Sequence, residues 1–403
     1  MSDNRGPLTG MKVIELAHVM AGPTCGRMLA DMGANVIKVE RVPGGDDTRK
    51  FVPPDIAGES AAFMMMNRNK RGVAIDLKNP AGRDVLMRLL ADADAVIENY
   101  RADTMSKLGL GYDDLKDRNP GLIYCAISGF GRTGPYAPRG GYDLIAQAMS
   151  GLMSITGEAP GREPVKVGAP VTDITAGILG ALGVAAAYAH KLKTGEGQMV
   201  DTSLYEAGIT HSYWQTAIAL ATGEAPGPMG SRHPLNAPYQ AFKTSDGWIT
   251  LGAANSRLWP RLLDMLGMPE LADDPRFHDN AARMANTDAL VEILNGVFAT
   301  DTKARWLAEL EKAGIPAGPV MDVVEMNTDP HTLAREMIVE VEHAAAGPVK
   351  TVGLPIKFSV TPGVIDAGAP VYGQHTRAVL AEYGYDAEAI EALIADGAVV
   401  AAG

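Results

Sequence analysis

Residues 11–40 constrain the fold of this chain more tightly than any other stretch. MKVIELA reads as an apolar strand. HVMAGPTCGRMLADMG reads as a loop running into a helix, with Pro23 near its start and Gly33 at its stop, and NVIKVE as a second strand. That is a βαβ unit. The alternation continues with GVAIDL as strand, NPAGRDVLMRLLADA as helix with Pro80 in its first turn, then AVIENY and LIYCAISG as strands. Apolar strands alternating with helices predict an α/β fold with a mostly parallel, doubly wound sheet.

A chain of 403 residues, 46% of them hydrophobic, is too long for one ordinary core, so two domains are expected. The character changes after about residue 225. PGPMGSRHPLNAPYQAF is a Pro/Gly-rich connector, and beyond it a hairpin-like AFKTSDGWITLGA is followed by several short helices. The expected layout is a large domain over 1–200 and 355–403, linkers over 201–225 and 326–354, and a smaller α+β domain over 226–325. GLPIKFSVTPG leads to a closing helical pair, AVLAEYG and AEAIEALIADG, and the final VVAAG is expected to fray. Ile174 to Ala189 is uncharged and apolar, too short to span a bilayer, and reads as a buried helix.

Charge narrows the partners. With 36 basic against 48 acidic side chains the net charge is -12, which argues against nucleic acid or an anionic membrane. Any bound anion must meet a local cluster of cations. Two such clusters exist: Lys38, Arg41, Arg49 and Lys50, then Arg68, Lys70 and Arg71. Both fall near strand ends, where ligands bind in open parallel sheets, and the same residues would equally serve as salt-bridged surface. Cys25 and Cys125 have neither disulfide-framework nor metal-ligand spacing, and no metal site is expected. MSDNRGPLTG lacks an apolar signal core, so a reducing cytoplasm is expected.

The first βα turn holds Gly22 and Gly26 four apart and no G-x-G-x-x-G, so the dinucleotide fingerprint is absent. Asp173 stands where a long helix of small residues begins, in VTDITAGILGALG. It can be read as an ordinary cap, or as a carboxylate nucleophile kept ionised and oriented by the helix N-terminus. Gly177, Gly180 and Gly183 recur every three residues and predict close packing at an interface. His18 follows the first strand at the sheet edge, and Cys25 has no catalytic histidine identifiable nearby.

Taken together, HVMAGP, LADMGANVIKVE, NRNKRGVAIDLK, VIENYR, KLGLGYDDL, ISGFGRTGPY, GYDLIAQAMSGLMSITG, VGAPVTDITAG, GEGQMVDTSLYEA, PYQAFKTSDGW, GIPAGPV, DPHTLAREM and GLPIKFS closely resemble the class III CoA-transferase family, almost end to end. That family includes formyl-CoA transferase, carnitine CoA-transferase and α-methylacyl-CoA racemase. The resemblance implies a Rossmann-like doubly wound domain plus a smaller α+β domain, assembled as an interlocked homodimer with the glycine-striped helix near the interface. It implies no permanent cofactor, with coenzyme A and acyl-CoA as substrates. It places the nucleophile on Asp173, His18, Met20 and Ala21 beside the pantetheine, Arg41 near the nucleotide phosphate, Asn99 and Tyr100 near the cofactor, and Lys107 at a phosphate.

Two departures bear on specificity. Met20 stands where formyl-CoA transferase has a glutamine, and GSRHPLNAPYQAF lacks that enzyme's run of glycines, which points away from formate or oxalate toward a bulkier or less polar acyl group. The racemase branch has a histidine in a G-H-D context, where this chain reads G-Y-D with Tyr142. A phenol, with an ordinary pKa near 10, is a poor base at neutral pH, so transfer is favoured over racemisation. A non-catalytic CoA-binding protein, in which Asp173 only caps its helix, is the third reading.

Overall fold

The computed structural model describes residues 6–402 and falls into two compact units. The second unit comprises Leu152–Lys166 and Ser212–Asp329, and the rest of the chain forms the first. Sequence reading drew the small domain over 226–325; by packing, segments before that span go with it. The assumed linker over 326–354 contributes a β-hairpin to the first unit.

The first unit begins with β1 (Lys12–Glu15), α1 (Ala21–Asp31), β2 (Asn35–Arg41), α2 (Ala61–Asn67), β3 (Lys70–Ile75), α3 (Pro80–Ala91), β4 (Ala95–Glu98), β5 (Ile123–Ser128), α4 (Asp143–Met149), α5 (Val171–Thr194), β6 (Met199–Ser203) and α6 (Leu204–Thr210). β1 pairs in parallel with both β2 and β4; β2 extends to β3, and β4 to β5 and β6. Both faces of this sheet are covered. Val13, Ile97 and Ile127 join a core with α1 and α5, while Ile14, Val96 and Tyr124 join one with α3, as expected of parallel strands buried on two sides.

The second unit builds its own core. α7 (Tyr213–Thr222) precedes the β7 (Tyr239–Thr244) and β8 (Gly247–Gly252) hairpin expected at SDG, followed by α8 (Leu258–Leu266), α9 (Thr287–Phe298), α10 (Lys303–Lys312) and a third antiparallel strand, β9 (Ala317–Pro319). Phe242, Ile249, Leu262, Leu294 and Phe298 fill its centre.

Back in the first unit come the hairpin β10 (Ile338–His343) and β11 (Gly347–Val352), then α11 (Thr376–Glu382), α12 (Ala387–Ala395) and β12 (Val399–Val400). The expected fraying is overturned for the described part of VVAAG: Val399 and Val400 pair antiparallel with Ile75 and Ala74, and Val399 is buried. Gly403 lies outside the described residues.

α5 also corrects the sequence reading. Its mean hydropathy of 1.5 and its length would suit a membrane span, yet one face packs as a core helix and the other is bare, with Ile178, Leu182 and Leu192 exposed. The glycine stripe works inside the chain. A Cβ on Gly177 would lie 2.5 Å from the Ala21 carbonyl oxygen, and one on Gly180 would lie 2.7 Å from Ile127. The absent side chains let α5 press onto α1 and the sheet.

Candidate active site

Strand order reverses between β1 and β4, because the chain winds outward from β1 in one direction and from β4 in the other. Loops leaving the carboxyl ends of these two strands diverge, and the crevice between them is where open α/β sheets take ligands. His18 follows β1; Asn99 and Tyr100 follow β4. The Asn99 side chain grips the His18 backbone from both sides, accepting its N–H at 2.9 Å and donating to its carbonyl at 2.7 Å. The His18 ring stacks on Tyr100 with centroids 5.2 Å apart. Burial lowers the pKa of this imidazole and raises that of the phenol, so both stay neutral near pH 7.

These three residues line a cavity of about 330 Å³ together with Arg101, Arg139 and Tyr142. Tyr142 is 79% exposed. Arg101 and Arg139 are exposed too, and among the described residues neither pairs with a carboxylate; the Arg139 guanidinium lies 4.8 Å from the Tyr136 ring centre. Free cations at a cavity mouth in an acidic chain suit an anionic ligand.

The other expected ligand contacts are placed differently. Met20 is the N-cap residue of α1, and Ala21 is buried with its carbonyl beside Gly177; neither lines the cavity. Arg41 is exposed but ion-paired to Asp47, whose carboxylate also lies 3.7 Å from the His18 imidazole. Lys107 sits on the surface paired with Asp103 one turn earlier and does not reach the cavity.

Most of the basic clusters prove structural. Lys38 is fully buried between Glu15 at 3.0 Å and Asp46 at 2.9 Å, and Lys70 is buried against the other Glu15 oxygen at 2.7 Å. Burial opposes the charge on both lysines. For Lys38 the carboxylates prevail and raise its pKa, whereas Lys70 is pushed down to about 8. Arg68 is buried on Asp31, Arg49 lies half-buried against Glu40, and Arg71 meets Glu382 at the surface. Charge counting along the sequence could not see their acidic partners.

Asp173 does not cap its helix. It is the third residue of α5, whose N-cap is Pro170, and its side chain takes part in no hydrogen bond among the described residues. The cap comes from elsewhere. Asp143, in the first turn of α4, accepts the Thr172 N–H at 3.0 Å, the Thr172 hydroxyl at 2.8 Å and the Gln147 amide at 2.7 Å. Gln147 in turn accepts the Val167 N–H at 2.9 Å. Burial, with the nearby Asp143 carboxylate adding to it, pushes the Asp173 carboxyl up to about 7. The expectation that helix N–H groups hold it ionised is therefore corrected: its side chain accepts no cap hydrogen bond, and dehydration with a like charge nearby raises its pKa.

The first unit thus holds a mostly buried carboxylate at Asp173 and a cavity with two exposed arginines, and comparison with known proteins decides the family. CoA-transferase family III matches residues 8–376. The chain belongs to that family. It is 42% identical over 388 residues to the succinate–glutarate CoA-transferase of Agrobacterium fabrum, covering 95% of this chain and 97% of that one. It is 36% identical to the human succinyl-CoA:glutarate CoA-transferase, covering 98% and 91% of the two chains. The crystal structure of a CAIB/BAIF family protein from Brucella suis superposes with a TM-score of 0.84 at 41% identity, over 94% of this chain and all of that one.

For a family III CoA-transferase, the residues that motif reading passed over are instructive. Asp143 and Gln147 are four apart in GYDLIAQ, a spacing that puts both on one helix face, but nothing local says that this face meets the start of α5. Arg101 closes the quoted VIENYR motif and Arg139 falls between two others, and both stand out only once their freedom from carboxylates is visible. Cys25 and Cys125 are buried free thiols, and burial pushes the Cys25 thiol up, which makes it a poor nucleophile.

Proposed function

We propose that this transferase moves CoA from succinyl-CoA or a similar acyl-CoA to a dicarboxylic acid, with Asp173 as covalent nucleophile. The supporting observation is the state of Asp173 itself: a mostly buried carboxylate, without hydrogen bonds, pushed up to about 7. Dehydration raises the basicity of the oxygen, and with it the nucleophilicity, while leaving a large ionised fraction at neutral pH. The Asp173 oxygen attacks the donor thioester carbonyl, forming a mixed anhydride and expelling CoA thiolate. The thiolate attacks the Asp173 carbonyl, giving an aspartyl thioester and releasing the donor acid. The acceptor carboxylate then attacks that thioester, expelling the thiolate again and forming a second anhydride. Thiolate attack on the acceptor's carbonyl yields the new acyl-CoA and restores the Asp173 carboxylate. No water is consumed, so each step benefits from its exclusion.

In this reading His18, Asn99 and Tyr100 bracket the pantetheine arm, Arg101 and Arg139 meet CoA phosphates, and Arg41 joins them once a phosphate displaces Asp47. The choice of dicarboxylates follows the relatives named for succinate and glutarate. A homodimer would cover the bare faces of α5 and α7, where Leu182, Tyr213, Trp214 and Leu220 are more than half exposed. Incubation with succinyl-CoA and hydroxylamine should leave a hydroxamate on Asp173, and Asp173→Ala should bind CoA but lose nearly all turnover. Turnover at the wild-type rate in Asp173→Ala would overturn the mechanism. Exchange of an α-proton of a 2-methylacyl-CoA for solvent deuterium, without any acceptor acid, would instead favour the racemase reading.

A further inference from the structure

The loop that carries His18 is built against its own conformational preference. Val19 has a φ of +65°, a left-handed conformation that β-branched residues rarely adopt. Something must hold it there. The Val19 N–H donates to a carboxylate oxygen of Asp46 at 3.1 Å, and one residue before His18 the Ala17 carbonyl accepts from the Lys38 ammonium at 2.9 Å. Lys38 and Asp46 are themselves an ion pair 2.9 Å long, with both side chains essentially buried. A single buried ion pair therefore grips the chain on either side of His18, while Asn99 holds His18 itself.

Asp46 is in turn fixed from all sides. The same oxygen that meets Val19 accepts the Thr48 N–H at 2.9 Å and hydroxyl at 2.8 Å, and the Asp46 N–H donates to Glu40 at 2.9 Å. Gly44 and Gly45 ahead of it have φ of +90° and +68°, so the turn that delivers this carboxylate uses conformations glycine tolerates best. Behind Lys38 lie Glu15 and Lys70, both buried. Nothing in the transfer chemistry needs these charges, and a purely structural role would not require that they converge on one strained turn.

We propose that Asp46 is a positioning residue for the CoA substrate: with Lys38 behind it, it holds Val19 in its left-handed conformation and so sets the His18 backbone and ring at the cavity. This rests on the reading that the cavity of His18, Asn99 and Tyr100 receives CoA. Without the Asp46 carboxylate the Val19 turn relaxes, and CoA must restore it on binding; the loss falls on affinity and leaves the chemistry at Asp173 intact.

The test is a double-mutant cycle on the full chain, with CoA binding followed by isothermal titration calorimetry and acyl-CoA kinetics alongside. Asp46→Ala should weaken CoA binding about tenfold, the size expected of one strained backbone position, and should raise KM for acyl-CoA with kcat unchanged within about twofold. In a Val19→Gly background, where the left-handed turn is unstrained, Asp46→Ala should cost about twofold or less. Should Asp46→Ala fail to fold, Asp46→Ala/Lys38→Met removes the two charges together and takes its place in the cycle. Wild-type affinity in Asp46→Ala, a loss confined to kcat, or an equal loss with and without Val19→Gly would overturn the proposal. Asn99→Ala and Tyr100→Ala separate it from the site assignment. If both bind CoA as wild type does, the assignment is wrong and the proposal goes with it; if they weaken binding while Asp46→Ala does not, only the role of Asp46 is refuted.

Discussion

Replacing Asp173 by asparagine should make the free protein more stable, not less. The carboxyl has a pKa of about 7 in the folded chain, against an ordinary value of 3.8. The folded state therefore holds a proton that the unfolded chain gives up, and wild-type stability falls as pH rises between these two values and stays low above the upper one. At about 1.4 kcal/mol per unit the full difference is about 4 kcal/mol, and water reaching the partly exposed carboxylate trims it to roughly 2–4 kcal/mol. Asparagine keeps the shape and cannot ionise. Thermal unfolding of the free wild type and Asp173→Asn, from pH 4 to pH 8.5, should show curves that nearly coincide at the acid end. The variant should be several degrees more stable at pH 8. If Asp173 instead served its helix as a cap, the substitution would be neutral or would lose up to about 1 kcal/mol at pH 8. Either that loss or a gain independent of pH would refute the reasoning.

Asp143→Asn keeps an oxygen for Thr172 but removes the like charge beside Asp173, so the acid limb of kcat/KM, which on the proposed mechanism tracks ionisation of Asp173, should move to lower pH; an unmoved limb would show that burial alone sets it. Gly177→Ala places a methyl 2.5 Å from the Ala21 carbonyl and should destabilise by about 1–3 kcal/mol in chemical denaturation, whereas Gly296→Ala, with open space around its Cβ in α9, should gain up to about 1 kcal/mol. Arg68→Ala leaves the buried Asp31 carboxylate without its ion-pair partner and should lose about 3–5 kcal/mol, while Arg71→Ala at the surface should change stability by under about 1 kcal/mol by the same assay.

What the sequence made legible follows from which interactions are local. β1, α1 and β2 could be read from periodicity because strand alternation, Pro23 and Gly33 are short-range signals, and the hairpin at Asp246–Gly247 announced itself through its turn. The edge strand at Val399 was missed because two residues carry no period; its identity comes from pairing with a strand more than 300 residues earlier. The basic clusters stayed ambiguous between ligand site and salt-bridged surface for the same reason. Lys38, Lys70 and Arg68 look solvent-bound in one dimension, and their carboxylates at Glu15 and Asp31 become neighbours only when the sheet and α1 assemble. Within the site, His18, Asn99 and Tyr100 came from motif resemblance and do converge on one cavity, but the free cations there are Arg101 and Arg139 in place of Lys107.

The two acids at the start of α5 show why local pattern alone could not settle the role of Asp173. An aspartate in the first turn of a helix is ordinarily explained by the orphan N–H groups it satisfies. Here that need is met by Asp143, an acid 30 positions earlier, whose carboxylate is spent on Thr172 and Gln147. Once the cap is supplied in trans from α4, nothing structural is left for Asp173 to do, and a partly buried carboxylate without hydrogen bonds is a net liability to the fold. The same neighbour that removes its structural purpose also raises its basicity by placing a second acid nearby. On the proposed mechanism that cost has a use: the free energy lost in the free protein is recovered when the Asp173 carboxylate becomes an acyl group and sheds its charge.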